Sequence, residues 1–195
     1  KKIEMIVKPY GNNIPNIYLL HGDLTDEEMN SLYNHPKVKA MVSFTKGEGF
    51  GRPLAEFGTT GKPIIASNWS GHLDFLHKDY CTLLPGQLTK VHESAADQFL
   101  LKDAEWFTVN YAYASKVIDD CVKNYKAYCE RSRKMPQYIK EKFSLNKMND
   151  AFIKIIENGK KNIPQQVGLQ LPKLKKVGNT EGPKLKLPKL KKVEA

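Results

Sequence analysis

Two carboxylates frame a glycine-containing turn in the run Glu48-Gly-Phe-Gly-Arg-Pro-Leu-Ala-Glu56, with seven residues between them. Gly49 and Gly51 can adopt backbone angles that are closed to other residues, and they let a ligand approach the main chain closely. Pro53 suits the opening of a helix, because its φ is preset and its missing N–H would have no helical partner there. Helix N-termini carry unpaired N–H groups and partial positive charge, so the run predicts a place for a phosphorylated ligand.

The two carboxylates are expected at different heights beside this turn. Glu56 would lie one turn into the helix, about 5 Å below its tip, and Glu48 would lie above it in the loop. A ligand with hydroxyl groups on both sides of a phosphate would use both, and a nucleotide sugar is such a ligand. The alternative is an ordinary turn between a strand and a helix, in which Glu56 only favours the positive end of the helix.

Apolar stretches on both sides supply the elements that would position the turn. Residues 38–44 precede it, and Gly61-Lys-Pro-Ile-Ile-Ala-Ser67 follows it, so the order reads strand, turn, helix, strand. Strands and helices alternate from residue 1 to about residue 160. This alternation predicts an α/β fold, with a parallel sheet that carries helices on both faces.

Two apolar stripes at helical spacing predict two further helices, both packed on the core. The first stripe consists of Ala114, Val117, Ile118, Cys121, Val122, Tyr125, Tyr128 and Cys129. The second follows a candidate N-cap at Ser144 and consists of Met148, Phe152, Ile155 and Ile156.

Composition separates a domain, residues 1–160, from a basic tail, residues 161–195. Of the 195 residues 41% are hydrophobic, which is enough for one core of ordinary size. The tail holds nine lysines and two glutamates, so it carries +7 of the formal net charge of +10. Within it, Leu171-Pro-Lys-Leu-Lys-Lys-Val177 returns identically at residues 187–193. Its recurrent prolines favour an extended conformation, and alone it is expected to be disordered.

Three interpretations of the tail stay open. It is a solvated basic extension, or it docks on a protein partner through residues 171–193, with leucines in pockets and lysines on an acidic surface. Its repetition would then provide multivalency. Contact with nucleic acid or an anionic membrane is disfavoured, because the tail has no aromatic residue for base stacking and no arginine for bidentate phosphate contacts.

The cysteines and the hydropathy pattern point to a cytoplasmic protein. Cys121 and Cys129 would lie about 12 Å apart along a helix axis, too far for a disulfide. No Cys/His spacing resembles a zinc site, so we expect no metal. No run approaches the roughly 18 apolar residues of a membrane span, and no signal peptide is visible. The lysine-rich, cysteine-poor composition fits a microbial or viral source.

The longer pattern resembles a known family. Glu-Gly-Phe-Gly-x-Pro-Leu-x-Glu followed by Gly-Lys-Pro-Ile-Ile-Ala-Ser is similar to the donor-site signature of retaining glycosyltransferases of the GT-B fold, the family 4 group. The resemblance covers about residues 17–90. It implies strands at residues 2–7 and 17–22, a short helix at 24–33 and a loop segment at 70–76, all within a Rossmann-like sheet that forms the carboxy-terminal half of a GT-B fold.

The resemblance also implies roles for the framed turn. Glu56 would hydrogen-bond the ribose of the nucleotide, and Glu48 would hold hydroxyls of the transferred sugar. His72 would lie near the donor pocket. Arg52 stands where the family accepts several residue types, and a contact of Arg52 with a phosphate is our own hypothesis. Three main-chain N–H groups would face the sugar and the diphosphate: those of Gly49, Phe50 and Gly51.

In such enzymes the departing phosphate takes the proton of the acceptor, so no protein nucleophile, metal or cofactor is required. Trp69 and Asp74 depart from the family pattern at the far wall of the pocket. The basic pair that normally precedes the strand at residues 2–7 is missing, as is the acceptor-binding domain. The resemblance therefore implies the donor-binding half of an enzyme, with an unknown acceptor and little activity alone.

Two other functions remain open at this point. One is a non-catalytic interaction or structural protein that keeps the fold and acts through its repeated basic tail. The other is a sugar-nucleotide epimerase, which is less similar because that group does not share the Glu-Gly-Phe-Gly pattern closely.

Overall fold

The structure, a computed structural model, describes residues 2–161. The chain divides into two compact units, Lys1–Phe152 and Ile153–Ala195. The repeats predicted to act in partner docking, residues 171–193, lie outside the described residues, and the interpretations of the tail stay predictions. No helix in the described part of the chain is long and apolar enough to cross a membrane.

The described residues form α-helices and β-strands in alternation over most of the first unit. The helices are α1 Lys2–Val7, α2 Asp26–Asn34, α3 Arg52–Gly58, α4 Tyr111–Lys123, α5 Tyr125–Ser132, α6 Met135–Phe143 and α7 Leu145–Lys161. The strands are β1 Met41–Ser43, β2 Ile64–Ser67, β3 Thr82–Leu84, β4 Gly86–Lys90 and β5 Glu105–Val109. Short 3-10 helices span Lys8–Tyr10, Gly71–Asp74 and Glu93–Ala95.

A parallel sheet in the order β1-β2-β3 forms the centre of the first unit. Met41 pairs with Ile64, and Ile65 pairs with Thr82. All four residues of β2 are buried, as is typical of a parallel strand with both faces covered. The predicted α/β class and the parallel sheet are confirmed.

Alternate residues of β2 face two separate cores, because side chains of a strand point to opposite sides. Ile64 belongs to a cluster with residues of α3 and α6, and Ile65 to a cluster with residues of β5 and α4. The first cluster contains Leu54, Phe57, Phe75, Met135 and Ile139. The second contains Leu84, Phe107, Val109, Ala114, Val117 and Cys121. Helices therefore cover both faces of the sheet, as the sequence predicts.

An antiparallel hairpin of β4 and β5 follows the sheet directly, and the sequence pattern did not predict it. Gly86 pairs with Val109, and Lys90 pairs with Glu105. A Cβ atom at Gly86 would lie 2.3 Å from the carbonyl oxygen of Thr108, so only glycine fits at the first residue of β4.

Helix α2 agrees with the helix predicted over residues 24–33. It begins with a capping box, in which the Thr25 hydroxyl accepts from the Glu28 N–H and the Glu28 carboxylate accepts from the Thr25 N–H.

The two strands expected near the N-terminus are wrong. Residues 2–7 form α1, and residues 17–22 have no regular secondary structure. Ile17, Tyr18, Leu19 and Leu20 are all exposed. A strand needs a neighbour to receive its backbone hydrogen bonds, and no strand in the described part of the chain pairs with this segment.

The two apolar stripes have opposite outcomes. In the first, Ala114, Val117 and Cys121 are buried on α4, although Val122 is exposed and the helix breaks at Asn124 before α5. The prediction that the second stripe packs in the core is wrong for its two residues in the first unit, Met148 and Phe152, which are 49% and 62% exposed. Helical spacing specifies an apolar face, and it does not specify what that face will contact.

Candidate functional site

The candidate site is the loop that joins β1 to α3, at the carboxyl end of a parallel strand. Ligands of open α/β sheets bind beyond the carboxyl ends of the strands. Residues 68–70 follow β2 at the same edge, and Pro85 follows β3 there. The run of residues from Glu48 to Glu56 thus lies where the fold class places its ligands.

Gly51 makes the turn from the loop into the helix. It adopts the left-handed conformation, with φ 84° and ψ 48°, and it is the N-cap of α3. Its carbonyl oxygen accepts from the N–H groups of Leu54 and Ala55, at 3.0 and 3.2 Å. Pro53 lies in the first turn, so the predicted start of the helix is confirmed.

The turn after β2 holds the loop in place. The Glu48 N–H donates to the Ser70 hydroxyl at 2.9 Å, and that hydroxyl donates to the Glu48 carbonyl at 2.7 Å. The Gly71 N–H donates to the same carbonyl at 3.0 Å. A Cβ atom at Gly71 would lie only 2.0 Å from the Gly49 carbonyl oxygen. The two chain segments are therefore in backbone contact, and only glycine allows it.

Ser70 adopts an unusual backbone conformation at this contact. Its φ of 83° and ψ of −169° fall in a region that is almost reserved for glycine. Among the described residues it is the one non-glycine residue with a positive φ. The hydrogen bonds of its hydroxyl to Glu48 offset the strain of this conformation.

The loop presents unpaired main-chain donors. The N–H groups of Gly49, Phe50 and Gly51 donate no hydrogen bond to any described residue. Gly49 and Phe50 are exposed, and a Cβ atom at Gly49 would meet nothing within 4 Å. Such donors at the start of a helix attract anions.

The side chain of Phe50 has a separate, structural role. Its ring centroid lies 4.8 Å from that of Phe75 and 5.9 Å from that of Phe143. Phe50 is therefore anchored in an aromatic cluster on one side, although its side chain remains 39% exposed.

Glu48 and Glu56 have different surroundings. Glu48 is half-buried, and its carboxylate makes no hydrogen bond or ion pair with a described residue. Glu56 lies on the exposed side of α3, where its Oε1 is 3.0 Å from the Nε of Arg52. The Arg52 side chain is 82% exposed, and this pair holds it along the helix.

Glu56 lines a cleft of about 470 Å³ between α2 and α3. Arg52 and Tyr33 line it as well, and burial, followed by the charge of Glu56, raises the pKa of the Tyr33 phenol. Lys62 ties α2 to the sheet side of this cleft, because its ammonium donates to the carbonyls of Tyr33 and His35 at 2.6 and 2.9 Å. The other lining residues are Leu24, Asp26, Met29, Asn30, Asn34, Pro53, Thr59 and Thr60.

A second, mainly apolar cleft of about 370 Å³ lies on the other side of Glu56. Its lining residues are Phe50, Ala55, Glu56, Thr59, Ile139, Phe143 and Met148. Glu48 lines neither this cleft nor the cleft beside α2. The structure thus brings Glu56 and Arg52 together with residues of α2, and it leaves Glu48 in the loop above.

The residues expected around the far wall take structural positions. His72 is fully buried, its Nε2 lies 2.7 Å from the Ser67 carbonyl oxygen, and its Nδ1 has no hydrogen-bond partner. Its Cβ atom packs closely against Gly51, since a Cβ atom added there would lie 3.0 Å from the His72 Cβ. Trp69 stacks on Phe107, with ring centroids 5.7 Å apart. Asp74 is exposed.

Sequence reasoning missed the role of three residues. Ser70 and Gly71 form a Ser-Gly pair after a buried strand, a signal of a tight turn, but their contact with Glu48 spans 22 residues of sequence. Tyr33 carries no local signal, because it enters the site through the packing of α2 against α3.

No model of a known protein family matches the chain, and a comparison with curated proteins finds no significant match. The likeness to glycosyltransferases therefore depends on the motif residues themselves. Within residues 2–161 no group of three or more His, Cys, Asp or Glu side chains is arranged to hold a metal ion.

Proposed function

We propose that residues 1–160 are the donor-binding domain of a retaining glycosyltransferase, with the Rossmann-like sheet of the carboxy-terminal half of a GT-B fold. One observation carries the proposal. The loop before α3 holds the N–H groups of Gly49, Phe50 and Gly51 unpaired at the carboxyl end of a parallel strand, and Ser70 and Gly71 fix that loop through its backbone. This arrangement suits the diphosphate of a nucleotide sugar.

The cleft beside α2 supports a nucleoside subsite next to this loop. Its lining combines the Glu56 carboxylate with amide, hydroxyl and apolar groups, and its volume of about 470 Å³ lies within the usual range for small-molecule sites. In the proposal, Glu56 accepts hydrogen bonds from the ribose hydroxyls. Arg52 reaches a phosphate by leaving its exposed ion pair with Glu56, which costs about 0–1 kcal/mol.

Glu48 is proposed to orient the transferred sugar. Its carboxylate has no partner among the described residues, while its backbone is fixed on both sides by Ser70. In the proposed reaction the bond between the anomeric carbon and the diphosphate oxygen breaks, the acceptor hydroxyl oxygen forms the new bond to that carbon, and the departing phosphate takes the proton of the acceptor hydroxyl. Glu48 then stabilises the sugar and takes no proton. The acceptor is bound by a second domain, and the enzyme acts in the cytoplasm.

Calorimetric titration of the full chain with UDP, GDP and their glucose and mannose conjugates tests the donor site. We expect binding of one nucleotide series, and a loss of about tenfold or more in Glu56→Gln, because a hydrogen bond to a charged group is removed. Arg52→Ala is a second variant, which breaks the ion pair but leaves the Glu56 carboxylate in place.

The control for this titration is Glu130→Gln, which removes the same charge from an exposed position on α5. Its affinity should equal that of the wild type. If Glu56→Gln binds the nucleotide as tightly as the wild type, the assignment of Glu56 to the donor site is wrong. The alternative function through the basic tail predicts no nucleotide binding at all, whereas the donor-site proposal predicts that deletion of residues 161–195 leaves nucleotide affinity unchanged.

A further inference from the structure

Lys46 stands at the start of the loop, two residues before Glu48, and it is half-buried. Its ammonium donates to the hydroxyl of Thr108 at 3.1 Å and to that of Tyr111 at 3.4 Å. It also lies 4.9 Å from the centroid of the Trp106 ring. The hairpin and the first turn of α4 thus position one cation at the edge of the sheet where the loop lies.

All the described partners of this cation are neutral. They are the hydroxyls of Thr108 and Tyr111 and the face of one aromatic ring, that of Trp106. An ammonium has three N–H donors, and two of them are used. No acidic side chain among the described residues forms an ion pair with Lys46. Lys46 therefore has both a free donor and an uncompensated charge.

The surroundings add positive potential to that of Lys46. Helix α4 begins beside the end of β3, where the Asn110 N–H donates to the Pro85 carbonyl at 2.8 Å. The first turn of α4 contains no acidic residue, so no charged side chain there offsets the positive end of its helix dipole, and its one side-chain cap is the neutral Asn110, which accepts from the Tyr113 N–H at 3.0 Å. An anion bound beside Lys46 would compensate both.

The position of Lys46 is built from several fixed contacts. Its carbonyl oxygen accepts from the Phe107 N–H at 3.3 Å, which ties the loop to β5. The Thr108 hydroxyl is itself 2.7 Å from the hydroxyl of Thr89 on β4. These bonds orient the Thr108 oxygen toward Lys46 and hold the ammonium beside the loop.

We propose that Lys46 binds the phosphate groups of the ligand that occupies the loop, as the cation of the diphosphate subsite. The inference rests on the proposed function, since it assigns an anionic part of the same ligand. Trp106 orients the ammonium through its ring face and Tyr111 through its hydroxyl, and Thr108 fixes its distance from the hairpin.

The full chain is titrated with inorganic pyrophosphate, UDP and uridine, in wild type and in Lys46→Met. We expect the affinities for pyrophosphate and UDP to fall about tenfold or more, and the affinity for uridine, which has no phosphate, to stay unchanged. Lys116→Met removes the same charge from an exposed position on α4, and it should leave all three affinities as they are. Lys46→Arg should retain most of the affinity for pyrophosphate.

A second measurement does not depend on the folding of a variant. The wild-type chain is acetylated at low reagent excess with and without pyrophosphate, and each lysine is quantified by mass spectrometry. Protection of Lys46 but not of Lys116 supports the subsite. Equal labelling of Lys46 in both samples overturns it, and so does an unchanged UDP affinity in folded Lys46→Met.

These outcomes separate the two proposals. If Lys46→Met binds UDP like the wild type while Glu56→Gln does not, the role of Lys46 is wrong and the donor site stands. If the wild type binds pyrophosphate through Lys46 but no nucleotide, the anion subsite stands and the nucleotide-sugar function is wrong. If the wild type binds neither, both proposals are wrong.

Discussion

The loop of residues 45–51, predicted from its own glycines and proline, adopts the expected conformation, whereas the N-terminal segment, where the resemblance implied strands at residues 2–7 and 17–22, does not. The loop leads from a parallel strand into a helix that opens at Gly51, as expected. The N-terminal segment contains a helix where a strand was expected, and its residues 17–20 are exposed. The expectation drawn from Gly51 and Pro53 themselves is confirmed, and the two strands near the N-terminus are not found.

The difference shows what a motif can specify. In the loop the residue types themselves determine the backbone. Position 51 has a positive φ that favours glycine, and position 71 has room only for glycine because of its contact with Gly49. An extended segment such as residues 17–22 becomes a strand only when another strand accepts its hydrogen bonds. Changes in the two regions should therefore have very different effects on stability.

The largest effect is expected from Gly71→Ala. The new methyl group would lie 2.0 Å from the Gly49 carbonyl oxygen and 2.7 Å from the carbonyl carbon, and both are backbone atoms that cannot rotate away. We expect the free energy of unfolding, measured in urea, to fall by about 4 kcal/mol or more. Gly49→Ala is the control, since its methyl group meets nothing within 4 Å, and it should change stability by less than about 1 kcal/mol.

Ile65→Ala truncates a buried isoleucine of the sheet that carries the loop. Ile65 is 1% exposed at the centre of β2, so the truncation leaves a cavity between the sheet and the cluster of β5 and α4. We expect a loss of about 3 kcal/mol in chemical denaturation. A loss below about 1 kcal/mol would mean that this core is loosely packed in solution.

Two substitutions of Ser70 separate strain from hydrogen bonding. Ser70→Ala loses both bonds to Glu48 and keeps a side chain in a glycine-only conformation, so we expect a loss of about 2 kcal/mol. Ser70→Gly loses the same bonds but relieves the strain, and it should lose about 1 kcal/mol. The free energy of unfolding of both variants is measured by thermal and by urea unfolding. If Ser70→Ala and Ser70→Gly lose equal stability, the backbone of Ser70 is not strained.

The smallest effect is expected from Ile17→Ala, the same substitution as at Ile65 but in the N-terminal segment. Ile17 is 52% exposed, and its truncation should change the free energy of unfolding by less than about 0.5 kcal/mol. A loss above about 1 kcal/mol would break the comparison, because it would show that residues 17–22 pack against a neighbour in solution.

Local patterns predicted the elements whose signals are complete within a short window. The glycine turn, α3 and β2 were predicted in this way, because glycines, a proline and a buried apolar run act on their own neighbours. The stripes of α4 and α7 have the same spacing, yet one is buried and the other exposed. That outcome depends on distant residues, and so does the hairpin of β4 and β5.

The candidate site was predicted in part for the same reason. The spacing of Glu48 and Glu56 placed one in the loop and one on the helix, as observed. Ser70 contacts Glu48 across 22 positions of sequence, and Lys46 contacts Thr108 across 62. Contacts between residues so far apart cannot be predicted from the spacing of residue types along the chain.

The double hydrogen bond of Ser70 has a consequence for the energetics of recognition. The hydrogen bonds between Ser70 and the Glu48 backbone already hold the loop in one conformation. The loop therefore loses little conformational entropy when a ligand binds to it. Association should therefore show only a small entropic penalty from ordering, and a rate that does not wait for the loop to rearrange.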